Sequence, residues 1–153
     1  MTDQIDRDAV LKTLNKILEA ELAGVVRYVH YSLMVYGHNR IPIVSWLSAQ
    51  ATESMMHARE AGELITHFGG HPSLGIGPLL ESHKHDVGDI LRESHETEKN
   101  ALMLYYELLK LADGKSVLLD EYARKQIYAE EMHLDEVDKM LRKPGEIRAV
   151  DKK

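Results

Sequence analysis

The sequence predicts an all-α protein built as a four-helix bundle, and three observations lead there. Apolar residues recur every three and four positions along four long stretches, the spacing of amphipathic helices. Turn-forming Gly, Pro, Asp and Asn fall between those stretches. No alternating strand pattern, short repeat or low-complexity segment interrupts them. A chain of 153 residues can bury a core of its own, so residues 1–153 read as one domain.

The first helix is expected over residues 7–36, with Asp6 as its N-cap. Its inner stripe is Val10, Leu14, Ile17, Leu18, Glu21, Val25, Tyr28 and Val29, and Gly37-His38-Asn39-Arg40 ends it. The second is expected over residues 42–68, with Pro42 in its first turn. Its stripe runs through Leu47, Gln50, Ser54, His57, Ala58, Ala61, Leu64, Ile65 and Phe68, and Gly69-Gly70 stops it. The Gly/Pro-rich stretch 69–80 is long enough to travel the length of a bundle. Two antiparallel hairpins joined by such a crossover form a recognised bundle topology. His71 and the run His83-Lys84-His85 read as solvated residues in or near it.

A third helix is expected over residues 82–113. Its stripe is Val87, Leu91, Ser94, Glu98, Ala101, Leu102, Tyr105 and Leu108, and Gly88 is a weak point inside it. Asp113-Gly114 makes a turn. Ser116 caps the fourth helix, residues 116–142, whose stripe is Leu119, Tyr122, Ala123, Gln126, Glu130, His133, Val137 and Met140. A polar tail, residues 144–153, follows.

Composition narrows the chemistry. A net charge of −6 offers no basic patch, which argues against a nucleic-acid binder. The absence of cysteine excludes disulfides, thiolate metal sites and cysteine nucleophiles. No apolar run reaches membrane-spanning length, and the opening Met1-Thr2-Asp3-Gln4-Ile5-Asp6 does not read as a signal peptide. The expected location is the cytoplasm, with no membrane partner. Nine histidines and seven methionines are many for this length and suit metal chemistry.

The anomaly is charge on the inner stripes. Glu130 and His133 are three residues apart, about 60° around a helix and one turn along it, so they share a face. That face is the buried one, where a carboxylate is costly unless paired or metal-bound. Helix one places Glu21 in the same kind of position, helix two His57, and helix three Glu98 with His95 one turn before it. Each lies near the middle of its helix, so all can meet at one level. Three carboxylates together would repel and raise one another's pKa, and a cation removes that problem. Carboxylates with two imidazoles suit iron, manganese or zinc.

The segments Leu14-Asn15-Lys16-Ile17-Leu18-Glu19-Ala20-Glu21-Leu22, Ser54-Met55-Met56-His57-Ala58, Glu98-Lys99-Asn100-Ala101 and Glu130-Glu131-Met132-His133 resemble the ferritin-like proteins of the bacterioferritin branch. The likeness covers roughly residues 13–141. It implies a ferritin-like four-helix bundle in which Glu21, His57, Glu98, Glu130 and His133 hold a di-iron centre. Tyr28 then falls on a tyrosine near the metals, a candidate electron donor, and Met55 on the position of a methionine that ligates haem b between subunits. Two departures stand out. The family has Glu-x-x-His in both the second and fourth helices, but here position 54, that of a bridging glutamate, is serine. Glu53 points about 100° away and must bend to reach in; Gln50 lies on the stripe as a weak ligand, and His95 flanks Glu98. The second departure is the tail after Pro144, which is too short for the family's fifth helix and leaves the 24-subunit shell unsupported.

The resemblance implies Fe(II) binding, oxidation by dioxygen or peroxide, and iron storage or detoxification by a homo-oligomer of at least two chains. One alternative is another di-iron or di-manganese oxidoreductase on a dimeric bundle. Another is a ferroxidase-deficient subunit, haem-binding or structural, in which Ser54 has cost the site its activity.

Overall fold

The structure, a computed structural model, describes residues 4–79 and 81–148. Four helices carry that chain: α1 (Arg7–Met34), α2 (Arg40–His67), α3 (Val87–Ala112) and α4 (Val117–Leu141). None of the described residues lies in a strand. Asp6 caps α1 by accepting from the Ala9 amide, and Ser116 caps α4 by accepting from that of Leu119, as their side-chain chemistry predicts.

The helix ends differ from expectation by one or two residues, with one larger exception. Helix α2 begins at Arg40, so Pro42 is its third residue, where a missing amide hydrogen costs no intrahelical bond. Helix α3 begins at Val87, five residues after the expected start at 82. His83 adopts φ 58, a left-handed conformation no α-helix accommodates, and the Ser82 amide donates to Glu93 Oε1 at 2.7 Å. Asp86 is the cap, accepting from Gly88 at 3.0 Å. Gly88 therefore sits in the first turn of α3, not inside it.

Helix α1 packs along α2, α3 along α4, and α1 also meets α3. The connection between α2 and α3 climbs α1. Asn15 Nδ2 donates to the His71 carbonyl and the Ser73 amide donates back to Asn15 Oδ1. The Gly77 amide donates to the Glu19 carbonyl at 2.9 Å, and the buried Arg27 donates to that of Pro78 at 3.1 Å. His30 meets Glu81. From residue 15 to residue 30 the crossover follows α1 for about 22 Å, so α3 starts at the end of the bundle where α1 finishes.

Two apolar clusters fill the interior. One gathers Val10, Leu14, Ile17, Ala61, Ile65, Leu108 and Leu119 among others; the second gathers Tyr28, Tyr31, Val35, Leu47, Ala51 and Ile90. Along α1, Glu21 falls between its contributions to the two. The charged residues thus form a buried polar layer enclosed by apolar packing, which keeps water scarce and electrostatic interactions strong.

Candidate metal centre

Each helix contributes to that layer from its inner stripe. Glu21, His57, Glu98 and Glu130 are all buried, with Glu21 and Glu130 only 4% exposed. His57 Nδ1 lies 3.5 Å from Glu21 Oε1 and 3.6 Å from Glu130 Oε1. One ligand atom from each of Glu21, His57 and Glu130 falls within 4.8 Å of the other two. Glu98 and His133 form the other half, with His133 Nε2 4.0 Å from Glu98 Oε1. A small cavity, with room for about one water-sized particle, lies among Glu98, Glu130, His57, His133, Gln50, Glu53 and Ser54.

Neighbouring hydroxyls hold these ligand atoms. Tyr105 donates to Glu21 Oε1 at 2.7 Å, and Tyr28 donates to Glu98 Oε1 at 2.8 Å. The Tyr28 hydroxyl also lies 2.8 Å from Ser94 Oγ and 3.0 Å from His133 Nε2. Trp46 stacks on the His133 ring, with centroids 5.9 Å apart and planes within 3°. Glu130 Oε2 is buried with no hydrogen-bond partner.

The charges are coupled. Burial, and after it the Glu98 carboxylate, lift the Glu130 carboxyl well above the usual range. Burial likewise raises Glu21, against the opposing pull of His57. Burial would raise Glu98 too, but the neighbouring Glu130 carboxyl, the His133 charge and the Tyr28 hydroxyl outweigh it, and Glu98 is lowered. Burial would lower His57, but its bonds to Glu130 and Glu21 prevail and its pKa is pushed up to about 10. The buried carboxyls and the imidazole of this cluster thus shift one another's proton affinity strongly.

The predicted residues thus converge to different degrees. Glu21, His57 and Glu130 lie together, and Glu98 and His133 lie beside them with Tyr28. Ser54 turns toward α1: a Cβ added to Gly24 would sit 3.0 Å from Ser54 Oγ, so this pair lets the two helices approach closely. Glu53 does bend inward, placing Oε1 3.8 Å from His57 Nε2 while its side chain stays 45% exposed. Gln50 lines the cavity. His95 is half-buried and neither lines the cavity nor joins the ligand cluster. Met55 is 43% exposed, away from the cavity lining. Sequence reasoning missed Trp46, although its spacing of four, seven and eleven from Gln50, Glu53 and His57 is a helical signal that it shares their side.

The profile of the ferritin-like domain matches residues 11–146. The chain belongs to the ferritin-like domain family. Its backbone superposes on a ferritin-like, diiron-carboxylate protein from Bacillus anthracis with TM-score 0.85 and 22% identity, covering 93% of this chain and 100% of that one. The dodecameric thioferritin of Bacteroides fragilis matches with TM-score 0.79 and 23% identity, over 90% of this chain and 87% of that one. The bacterioferritin of Rhodobacter capsulatus matches with TM-score 0.75 and 23% identity, over 86% and 82%. These likenesses speak for the ferritin-like fold. A search of curated proteins finds no match. No helix among the described residues is long and apolar enough to cross a membrane.

Proposed function

We propose that this ferritin-like chain binds Fe(II) inside the bundle and supports its oxidation by dioxygen or peroxide, the ferric product being stored or passed on. The observation that carries the reading is Glu130. Its carboxyl lies against both halves of the cluster, and its Oε2 is buried without a partner. A buried acceptor in that state is costly unless a cation or proton completes it. Three carboxylates with two imidazoles fit iron, with manganese or zinc as competitors. Iron is the substrate here, and when bound it brings the redox chemistry.

The side chains have separable tasks. Glu21, His57 and Glu130 form one set of ligands; Glu98 and His133, with Glu130 between, form the other. Tyr105 orients Glu21 and Tyr28 orients Glu98. Trp46 covers His133. His57 and Glu130 release protons when a cation enters, since ligands must be deprotonated. Tyr28, whose hydroxyl is held protonated by burial and by Glu98, is placed within contact of one half and is the candidate electron donor. The first set, in which one ligand atom of each residue already lies within 4.8 Å of the other two, binds iron more tightly than the second; where Ser54 stands in place of a second bridging glutamate, Glu53 and Gln50 on the cavity wall are the substitutes within reach. The Bacillus anthracis neighbour is described as a diiron-carboxylate protein and the Rhodobacter capsulatus one as having a dinuclear site and haem iron, which supports the same chemistry here. The dodecameric Bacteroides fragilis neighbour supports a homo-oligomer.

Aerobic addition of Fe(II) to the metal-free protein tests the reading. An absorbance of oxo-bridged ferric iron should appear faster than in buffer. A rate equal to buffer autoxidation would remove the ferroxidase activity and favour the second reading, a ferroxidase-deficient subunit. Ser54 favours that second reading, and the exposed Met55 offers it a haem ligand, visible as a Soret band.

A further inference from the structure

The crossover brings together a second group of metal-ligating side chains, apart from the bundle interior. His30 is on α1, two residues beyond Tyr28 and therefore on a different side of the helix. Glu81 and His85 belong to the last stretch before α3. The left-handed turn at His83 bends the chain between them. The Ser82 amide is tied to Glu93, which also accepts from the Tyr31 hydroxyl, so the bend is anchored to α3 and α1.

The result is a compact His–Glu–His triad. Glu81 Oε2 lies 2.9 Å from His30 Nε2, and Glu81 Oε1 lies 3.7 Å from His85 Nε2. The two imidazole centroids are 5.5 Å apart. One ligand atom of each residue lies within 4.8 Å of the other two. Bonds of about 2.1 Å at tetrahedral angles place ligand atoms about 3.4 Å apart, a spacing the two carboxylate contacts bracket.

A second, independent observation points to a ligand. Both Nε2 atoms are buried, and neither has a hydrogen bond of acceptable geometry. Glu81 lies within ion-pair distance of both imidazoles, yet neither Nε2 gains a hydrogen bond from it. Two buried imidazole nitrogens aimed at one carboxylate are satisfied together by a cation between them. The three side chains remain partly exposed, which leaves room for water in a further coordination position.

We propose that His30, Glu81 and His85 bind one divalent first-row transition ion, with Zn(II) as the best-matched representative, and that the ion fastens the crossover to α1. Two imidazoles and one carboxylate with an open position form a donor set suited to Zn(II) and Fe(II). His83, whose Nδ1 is 3.8 Å from Glu81 Oε1, is 83% exposed and is not required.

Zn(II) titration of the metal-stripped full-length chain, followed by gel filtration and metal analysis, tests this. The double variant His30→Gln/His85→Gln should retain one equivalent fewer per chain than the wild type, whereas Glu130→Ala should keep that equivalent. Lys84 lies between two of the ligands and is exposed, so Zn(II) should slow tryptic cleavage there several-fold in the wild type and not in the double variant. If the double variant does not fold, Glu81→Gln decides the matter, with an expected affinity loss of about tenfold or more. Unchanged stoichiometry in the double variant, unchanged affinity in Glu81→Gln, or cleavage at Lys84 indifferent to Zn(II) would overturn the site. None of these readouts depends on iron oxidation.

Discussion

Buried charges in the interior layer shift one another's proton affinity, and pH reveals this residue by residue. His57 has a folded pKa of about 10 against an ordinary 6.5, so its stabilising contribution is complete below 6.5 and is lost as pH rises through 10. Glu130 and Glu21 are raised from 4.5, so they too favour the folded state less as pH climbs. Glu98 is lowered and acts oppositely, its contribution present above 4.5 and lost as pH falls through its folded value. Thermal melts of metal-stripped protein should therefore show greatest stability in mild acid and a decline between about pH 6 and pH 10. Bound Zn(II) should reverse that slope, because metal competes with the same protons. Tyr28 gives a second expectation at this scale. Tyr28→Phe leaves a fully buried Glu98 oxygen without its donor, at a cost of about 1–3 kcal/mol in denaturant unfolding of the metal-free chain. Glu21, His57, Glu98, Glu130 and His133 were legible in the sequence because charge on an apolar helical stripe is conspicuous. Trp46 was not, because a tryptophan beside the stripe looks like ordinary packing until His133 is seen beneath it.

Between elements, the crossover approaches the backbone of α1 at Gly77, a position that only glycine fits. A Cβ on Gly77 would lie 3.2 Å from the Glu19 carbonyl oxygen and 3.4 Å from Ala20 Cα, both helix backbone that cannot yield. Gly77→Ala should push the crossover off α1 and destabilise the fold by about 1–3 kcal/mol, with faster exchange of the residue 77 amide that now bonds Glu19. The four helices themselves were legible from period and caps to within a residue or two. The exception, the start of α3 at Val87, was not. It is set by the left-handed His83 and by the hydrogen bond from Ser82 to Glu93, a contact eleven residues long in sequence that no local pattern announces. The same bend turns His85 from an expected solvated histidine into one whose Nε2 is buried.

For the whole molecule, the bundle is two apolar clusters separated by one charged layer. Such a layer would weaken an ordinary core, since replacing buried charges with apolar groups is often neutral or stabilising. Charged residues from all four helices meeting in one layer support the proposed metal-binding role, which packing alone does not call for. On the proposed reading this layer holds iron unequally, more firmly at Glu21, His57 and Glu130 than at Glu98 and His133, because the first trio already brings one ligand atom of each residue within 4.8 Å of the other two. Anomalous scattering from crystals soaked anaerobically in Fe(II) tests it most directly. The account predicts a strong peak among Glu21, His57 and Glu130 and a weaker one beside Glu98 and His133, with Glu130 touching both. Iron peaks confined to the protein surface, with none inside the bundle, would contradict it.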